Sequence, residues 1–116
     1  MKILVTGGTG FVGSHTAAVL ASHGHEIKML VRSEEKMKRV MQLHNVAIKD
    51  FVIGDITDPI ACKNALQDCD GLVHSAAMVS TSRKDTDKVF KTNLEGTRNI
   101  IGQAVERELK QIVHVS

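Results

Sequence analysis

Apolar and polar positions along this chain follow two periods that take turns from the first residue to the last. Short apolar runs, typical of buried parallel strands, lie at residues 2–6, 26–32, 48–54, 71–75 and 111–115. Between them, apolar residues recur at helical spacing at residues 11–23, from 34 onward, from 59 onward and at 86–109. The pattern therefore predicts five strands and four helices in strict alternation.

Residues that commonly begin or end helices lie at these boundaries. Gly24 follows the first predicted helix, where a residue with positive φ is frequent. Ser33 is a predicted N-cap followed by two glutamates, and Asp58 is a predicted cap that precedes Pro59. For the longest helix, the spacing predicts an inward face made of Val89, Phe90, Leu94, Ile101, Ala104 and Val105.

This order of elements predicts an α/β fold, a parallel sheet with helices on both faces. Right-handed crossovers give the strand order 3-2-1-4-5 of a Rossmann-type doubly wound sheet, truncated after strand five. A length of 116 residues allows one domain at most.

Composition excludes several functional classes. Apolar residues make up 42% and charged residues 24%, and the net charge of +2 is spread without a basic stripe, so we expect no nucleic-acid partner. No apolar stretch approaches the ~20 residues of a membrane span, and we expect a cytoplasmic protein. Cys62 and Cys69 are predicted to be reduced thiols, and the spacing of the six histidines predicts no metal site.

A glycine-rich turn joins the first strand to the first helix. Residues 6–13 read Thr-Gly-Gly-Thr-Gly-Phe-Val-Gly, which satisfies both G-x-G-x-x-G and G-x-x-G-x-x-G. Such glycines make a tight turn, let the backbone approach phosphates and let the helix pack closely on the sheet. Strand, turn and helix together predict a pyrophosphate site at the helix N-terminus, and the alternative is a glycine-rich loop without a ligand.

The end of the second strand bears on the choice of coenzyme. An NAD site usually has an acidic residue there for the ribose 2′-hydroxyl, whereas this chain has Arg32 and Ser33. A guanidinium fork suits a 2′-phosphate, so the sequence favours NADP over NAD. The alternative is that Arg32 is a solvated strand end, which leaves both coenzymes open.

Four segments, in this order, resemble the extended short-chain dehydrogenase/reductase family. They are residues 6–13, the Gly-Asp-Ile-Thr-Asp of 54–58, the His-Ser-Ala-Ala of 74–77 and the Asn-Leu-Glu-Gly-Thr-Arg-Asn of 93–99. The resemblance covers the whole chain and implies that residues 1–116 are the NAD(P)-binding, N-terminal part of a longer enzyme.

The resemblance also implies roles. Phe11 and Val12 would give backbone N–H groups to the pyrophosphate, and Asp55 and Ile56 would bracket the adenine. With Arg32 and Ser33, the predicted cofactor-binding residues are Gly7, Thr9, Gly10, Phe11, Val12, Gly13, Asp55, Ile56, Ser75, Ala76, Ala77, Asn93 and Ser116. Two alternatives stay open: Asp55 could simply close a turn before Asp58, and Asn93 could bond only to a strand.

Residues 30–33 and 68–74 are similar to the dihydroflavonol-reductase-like branch, whose members are typically NADP-dependent carbonyl reductases. The resemblance implies hydride transfer to or from a carbonyl or alcohol substrate that is bound mainly by the missing C-terminal part. The alternatives are a nucleotide-sugar epimerase or dehydratase and, in a different class, a non-catalytic NADP-binding or sensing module.

The family's catalytic Tyr and Lys have no counterpart here, because the chain contains no tyrosine. We therefore predict no catalytic residue among the 116 and no activity from them alone. The fifth strand would be an edge open to another chain, and the resemblance implies a homodimer that pairs through the long helix.

Overall fold

The computed structural model of the chain describes residues 1–75 and 86–115. The strands are β1 (Lys2–Thr6), β2 (Glu26–Val31), β3 (Asp50–Ile53), β4 (Gly71–His74) and β5 (Gln111–His114). The helices are α1 (Phe11–Ser22), α2 (Glu34–Leu43), α3 (Pro59–Leu66) and α4 (Thr86–Glu106). The predicted elements are all present, and the predicted ends differ from the observed ones by at most three residues. Ala76, Ala77 and Ser116, three predicted site residues, lie outside the described residues.

The strands form one parallel sheet in the order β3-β2-β1-β4-β5, which confirms the predicted Rossmann-type order. The central strand β1 pairs with β2 on one side and with β4 on the other. Strands β2 and β3 are therefore added on one side of β1, and β4 and β5 on the other, so the strand order reverses between β1 and β4. In such sheets a crevice opens at this point, outside the carboxyl ends of the strands.

Two cores, one on each face, fix the helices to this sheet. On one face, α1 and α2 pack on β1 and β2 through residues such as Ala17, Met37 and Met41. On the other face, α3 and α4 pack on β1, β2 and β4 through residues such as Leu66 and Ile100. Both faces of the central strands are therefore covered, as in a doubly wound fold.

Two predicted helix caps are confirmed. The Ser33 side chain accepts a hydrogen bond from the Lys36 backbone N–H at 3.2 Å, at the start of α2. The Asp58 side chain accepts from the Ile60 backbone N–H at 3.0 Å, at the start of α3. Gly24, after α1, has the positive φ of 88° expected of a residue that follows a helix.

The inward face predicted for α4 is partly wrong. Three of its residues are exposed: Phe90 at 69%, Leu94 at 41% and Val105 at 60%. Ala104 is buried as predicted and Ile101 is half-buried, while the side chain of Val89 lies outside the description. The buried face instead includes Gly96 and Ile100. Gly96 brings α4 close to Ile56, and the larger side chains of Phe90, Leu94 and Val105 lie away from the core.

A buried lysine ties α3 to the sheet at the end remote from the crevice. Lys28 on β2 is only 7% exposed, and its Nζ donates to the carbonyls of Asn64 and Gln67 at 3.0 and 3.1 Å. These carbonyls lie at the C-terminal end of α3, where carbonyls lack partners within the helix and a cation is favourable.

Candidate functional site

A cleft opens where β1, β2 and β3 end, and residues near the β4 end and from α4 complete it. The described residues that line it are Gly7, Gly8, Thr9, Gly10, Leu30, Val31, Arg32, Gly54, Asp55, Ile56, Ser75, Thr92 and Asn93. Eight predicted site residues are thus brought together: Gly7, Thr9, Gly10, Arg32, Asp55, Ile56, Ser75 and Asn93. The other five lining residues were not among the predicted site residues: Gly8, Leu30, Val31, Gly54 and Thr92. Their positions could have indicated them, because four lie at or just beyond the carboxyl end of a strand and Thr92 lies on α4.

Phe11, Val12, Gly13 and Ser33, among the described residues, lie beside the cleft rather than on its wall. Gly13 shapes the turn from behind, because a Cβ there would overlap the Gly7 carbonyl oxygen. Gly7 itself has a φ of 69°, which favours glycine, and its carbonyl accepts from the Gly10 N–H at 3.0 Å. The first turn of α1 is therefore pressed against the glycine turn.

The N-terminus of α1 has no cap of its own. Its N-cap is Gly10, which has no side chain to accept a hydrogen bond, and its first turn carries no acidic residue. The first N–H groups of a helix have no acceptor within the helix and lie at its positive end. The backbone N–H groups of Phe11 and Val12 are therefore left without a side-chain cap, and their side chains are 80% and 49% exposed.

A buried hydrogen-bond network fixes the strand that leads into the turn. Thr6 Oγ1 lies 2.7 Å from His74 Nδ1, and His74 Nε2 lies 3.0 Å from Thr97 Oγ1 on α4. The Ser75 N–H donates to Thr6 Oγ1 at 3.2 Å, and the Ser75 hydroxyl donates to the Thr6 carbonyl at 2.7 Å. The ends of β1 and β4 are therefore joined through side chains next to the cleft wall.

His74 at the centre of this network is fully buried and stays neutral at physiological pH. Burial, with a smaller contribution from nearby His114, lowers the pKa of His74 from 6.5 to about 4. The two imidazole rings stack with centroids 5.1 Å apart, so a proton on His74 would also face a second titratable ring. A neutral ring has one donor and one acceptor nitrogen, which suits a hydroxyl on each side.

The opposite wall of the cleft is the loop at residues 54–57. Asp55 Oδ1 accepts from the backbone N–H and the hydroxyl of Thr57 at 3.0 and 3.1 Å, and its carbonyl accepts from the Asp58 N–H at 2.9 Å. Asp55 therefore does close a turn before the α3 cap, in addition to lining the cleft. The Ile56 carbonyl accepts from Asn99 Nδ2 at 3.0 Å and from the Cys62 thiol at 3.3 Å.

Arg32 and Ser33 follow β2 and have different surroundings. Arg32 is exposed and lines the cleft. The Ser33 oxygen is the acceptor that caps α2, and Glu34 in the first turn pairs with Lys38 at 3.2 Å. The Ser33 hydroxyl that we predict to donate to a phosphate therefore also stabilises a helix.

The cysteines are buried and free, as predicted. Burial, aided by the nearby carboxylates of Asp58 and Asp55, raises the pKa of the Cys62 thiol to about 11. Within residues 1–75 and 86–115, no group of three or more His, Cys, Asp or Glu is placed to bind a metal ion. In the same ranges, no helix is long and apolar enough to span a membrane.

A sequence profile of the NAD dependent epimerase/dehydratase family matches residues 3–116. The chain belongs to this family. A Synechocystis protein named "Putative dihydroflavonol 4-reductase" is 38% identical over 112 residues, and the match covers 97% of this chain and 31% of that protein. A UDP-N-acetylglucosamine 4,6-dehydratase (inverting) of Campylobacter jejuni is 30% identical, with 99% of this chain and 36% of that protein covered.

Solved structures of epimerase/dehydratase-like proteins show the same architecture. The UDP-glucose-4-epimerase of Stenotrophomonas maltophila, solved with bound NAD, matches with a TM-score of 0.82 and 26% identity. That match covers 98% of this chain and 36% of the epimerase. The chain thus spans about a third of the length of these family members, which agrees with the expectation of an N-terminal part.

Proposed function

We propose that this chain binds a pyridine dinucleotide, with the pyrophosphate of the coenzyme at the N-terminus of α1. The proposal rests on one observation above all: α1 begins at a glycine without a side-chain cap, directly above the glycine turn that lines the cleft. A diphosphate would accept hydrogen bonds from the Phe11 and Val12 N–H groups and act as the missing cap. Gly7, Thr9 and Gly10 would let it approach the backbone.

The adenosine half of the coenzyme would lie along the loop at residues 54–57. Ile56 would contact the adenine ring, and Asp55 would accept from its amino group through Oδ2, since Oδ1 accepts from Thr57. The Ser75 backbone, with Ala76 and Ala77 after it, would run beside the adenosine ribose and phosphates.

The nicotinamide half would lie toward α4 and the end of β5. Asn93, which lines the cleft from α4, would connect this helix to the coenzyme. Ser116, two residues after β5 in the sequence, would meet the nicotinamide side.

Arg32 and Ser33 favour NADP over NAD in this proposal. Arg32 is a cation on the cleft wall where an acidic residue would select the 2′-hydroxyl of NAD. Its guanidinium can form two parallel hydrogen bonds to a 2′-phosphate, and the Ser33 hydroxyl can donate a third.

For the whole protein we propose hydride transfer between the nicotinamide and a carbonyl or alcohol substrate bound mainly outside these 116 residues. The relative named as a dihydroflavonol 4-reductase supports this choice. Nucleotide-sugar epimerase or dehydratase chemistry is the second candidate, supported by the Campylobacter dehydratase and the Stenotrophomonas epimerase. The 116 residues alone contain no tyrosine and would bind coenzyme without turning over substrate.

We also propose a cytoplasmic homodimer that pairs through α4. Its exposed apolar side chains support the pairing, and the two buried free thiols fit a reducing compartment. Phe90→Glu should then shift the sedimentation coefficient of the protein toward that of a monomer. An unchanged sedimentation profile would refute pairing through this helix.

Calorimetric titration with NADP and NAD tests the coenzyme proposal. The chain should bind NADP more tightly, and Arg32→Asp should reverse the preference because the carboxylate repels the 2′-phosphate and accepts from the 2′-hydroxyl. Arg98→Asp makes the same change of charge on α4, at an exposed residue away from the described cleft wall, and should keep the preference for NADP. Absence of heat with both coenzymes would refute dinucleotide binding itself.

A further inference from the structure

Two side chains on α4 and one from the residue that follows its last turn donate to backbone carbonyls of the segment that runs from the cleft loop into α3. The three bonds are Asn99 Nδ2 to the Ile56 carbonyl at 3.0 Å, Gln103 Nε2 to the Pro59 carbonyl at 3.0 Å and Arg107 Nη2 to the Lys63 carbonyl at 3.1 Å. The donors are four residues apart, the spacing that aligns side chains along a helix. We call this set of three bonds the α4 ladder.

Only the first bond of the α4 ladder reaches the cleft. Ile56 lines the cleft, whereas Pro59 and Lys63 lie beyond the described wall. The Asn99 bond is also partly buried, while the Gln103 and Arg107 bonds are exposed to water. A bond shielded from water contributes more to fixing a backbone position than an exposed one, because water cannot replace it.

The same turn of α4 fixes the Ile56 side chain as well as its carbonyl. A Cβ at Gly96 would overlap Ile56 Cδ1, so the isoleucine packs directly on the helix backbone at this point. The other donor to the Ile56 carbonyl is the Cys62 thiol at 3.3 Å, and a thiol is a weak donor. Asn99 is therefore the principal donor to this carbonyl among the contacts that the structure describes.

We propose that Asn99 is a positioning residue for the adenosine half of the coenzyme. It donates to the Ile56 carbonyl and so fixes both the Ile56 side chain and the adjoining Asp55 carboxylate against the cleft. This inference rests on the proposed coenzyme site, because it assigns Asn99 a role in that site without contact to the ligand.

The test separates the two halves of the coenzyme. Asn99→Leu removes the donor at nearly constant volume and charge, and Gln103→Met does the same one turn further from the cleft. Titrations would use 2′,5′-ADP for the adenosine half and nicotinamide mononucleotide for the other. Asn99→Leu should weaken 2′,5′-ADP binding about fivefold to tenfold, the effect of one hydrogen bond, and leave nicotinamide mononucleotide within about twofold, while Gln103→Met leaves both unchanged.

A second variant reaches the same loop without removing the hydrogen-bond donor. Gly96→Ala pushes the Ile56 side chain away from α4 and should reproduce the selective loss of 2′,5′-ADP binding. Hydrogen exchange of the Thr57 and Asp58 amides in the ligand-free chain provides a readout that does not need binding. Exchange should be faster in Asn99→Leu and unchanged in Gln103→Met.

The outcomes are distinct. Unchanged 2′,5′-ADP affinity in both Asn99→Leu and Gly96→Ala would overturn the inference and leave the proposed coenzyme site standing. Equal weakening of both half-ligands would also overturn it, because that result indicates general destabilisation. If the unmodified chain binds neither half-ligand and neither coenzyme, the proposed coenzyme site is refuted, and the inference with it.

Discussion

The N-termini of α1 and α2 follow adjacent strands of the same sheet, yet they are built in opposite ways. At α2, Ser33 caps the helix and two glutamates occupy its positive first turn. At α1, Gly10 provides no cap and the first turn contains no acidic residue. Both N-cap backbones are extended, so the difference lies in the side chains. The first N–H groups of α1 therefore have no side-chain cap, whereas one of those of α2 is satisfied by Ser33.

The largest expected effect comes from filling the space under α1. In Gly13→Ala, the new Cβ would overlap the Gly7 carbonyl oxygen and lie 2.8 Å from Ser75 Oγ, so the turn and helix must separate. We expect a loss of about 3 kcal/mol in the free energy of unfolding, typical of overpacking against backbone. Urea denaturation measures it, and Gly102→Ala, where the added Cβ meets nothing within 4 Å, is the matched control.

The buried hydrogen-bond network around His74 should make the free energy of unfolding depend on pH. Since the pKa of His74 is lowered to about 4, the unfolded chain binds a proton below pH 6.5 that the native chain rejects. Stability should therefore fall by about 3 kcal/mol between pH 6.5 and 4 because of this residue. Urea denaturation across this pH range should show that the free energy of unfolding falls more steeply with falling pH in the unmodified chain than in His74→Asn. His114→Asn should retain most of it, since burial is the larger cause.

A capping side chain at Gly10 would make the N-terminus of α1 similar to that of α2. Gly10 has a φ of −83°, which suits any residue, and the nearest atom to an added Cβ is 3.4 Å away. Gly10→Asp should stabilise the helix by about 0.5 kcal/mol. Its carboxylate would occupy the anion position, so coenzyme affinity should fall about a hundredfold, or about 2.7 kcal/mol. Thermal denaturation and calorimetry measure the two effects, and a stable variant that binds normally would refute the comparison.

The converse change removes the cap of α2. Ser33→Ala deprives the Lys36 N–H of its acceptor and should cost about 1 kcal/mol in the free energy of unfolding. NADP affinity should fall by less than in Arg32→Asp, because only one neutral donor is lost. A larger effect on NADP affinity than on stability would mean that Ser33 acts mainly on the ligand.

Much of the fold could be predicted because its signals are local. The strand order follows from alternation and handedness, and the caps at Ser33 and Asp58 follow from residue type. The inner face of α4 could not be predicted as easily. Periodicity identifies apolar positions but not what lies opposite them, so Phe90 and Val105 were expected inside although both are exposed.

Some residues of the cleft, like the inner face of α4, could not be predicted from the sequence. The glycine turn, Arg32 and Asp55 have recognisable residue types, and the structure brings them together. Gly54 lines the same cleft because β3 ends there, and Thr92 lines it because the N-terminal half of α4 passes it. The α4 ladder depends on the relative placement of two helices, and a sequence pattern records donors without recording which carbonyls they meet.

The buried amine of Lys28 offers an internal reporter of local opening. Its Nζ has two carbonyl partners and little access to solvent, so an acylating reagent can label it only after the end of α3 detaches from β2. Labelling at this residue that is faster than global unfolding would therefore measure local opening of the contact between α3 and β2.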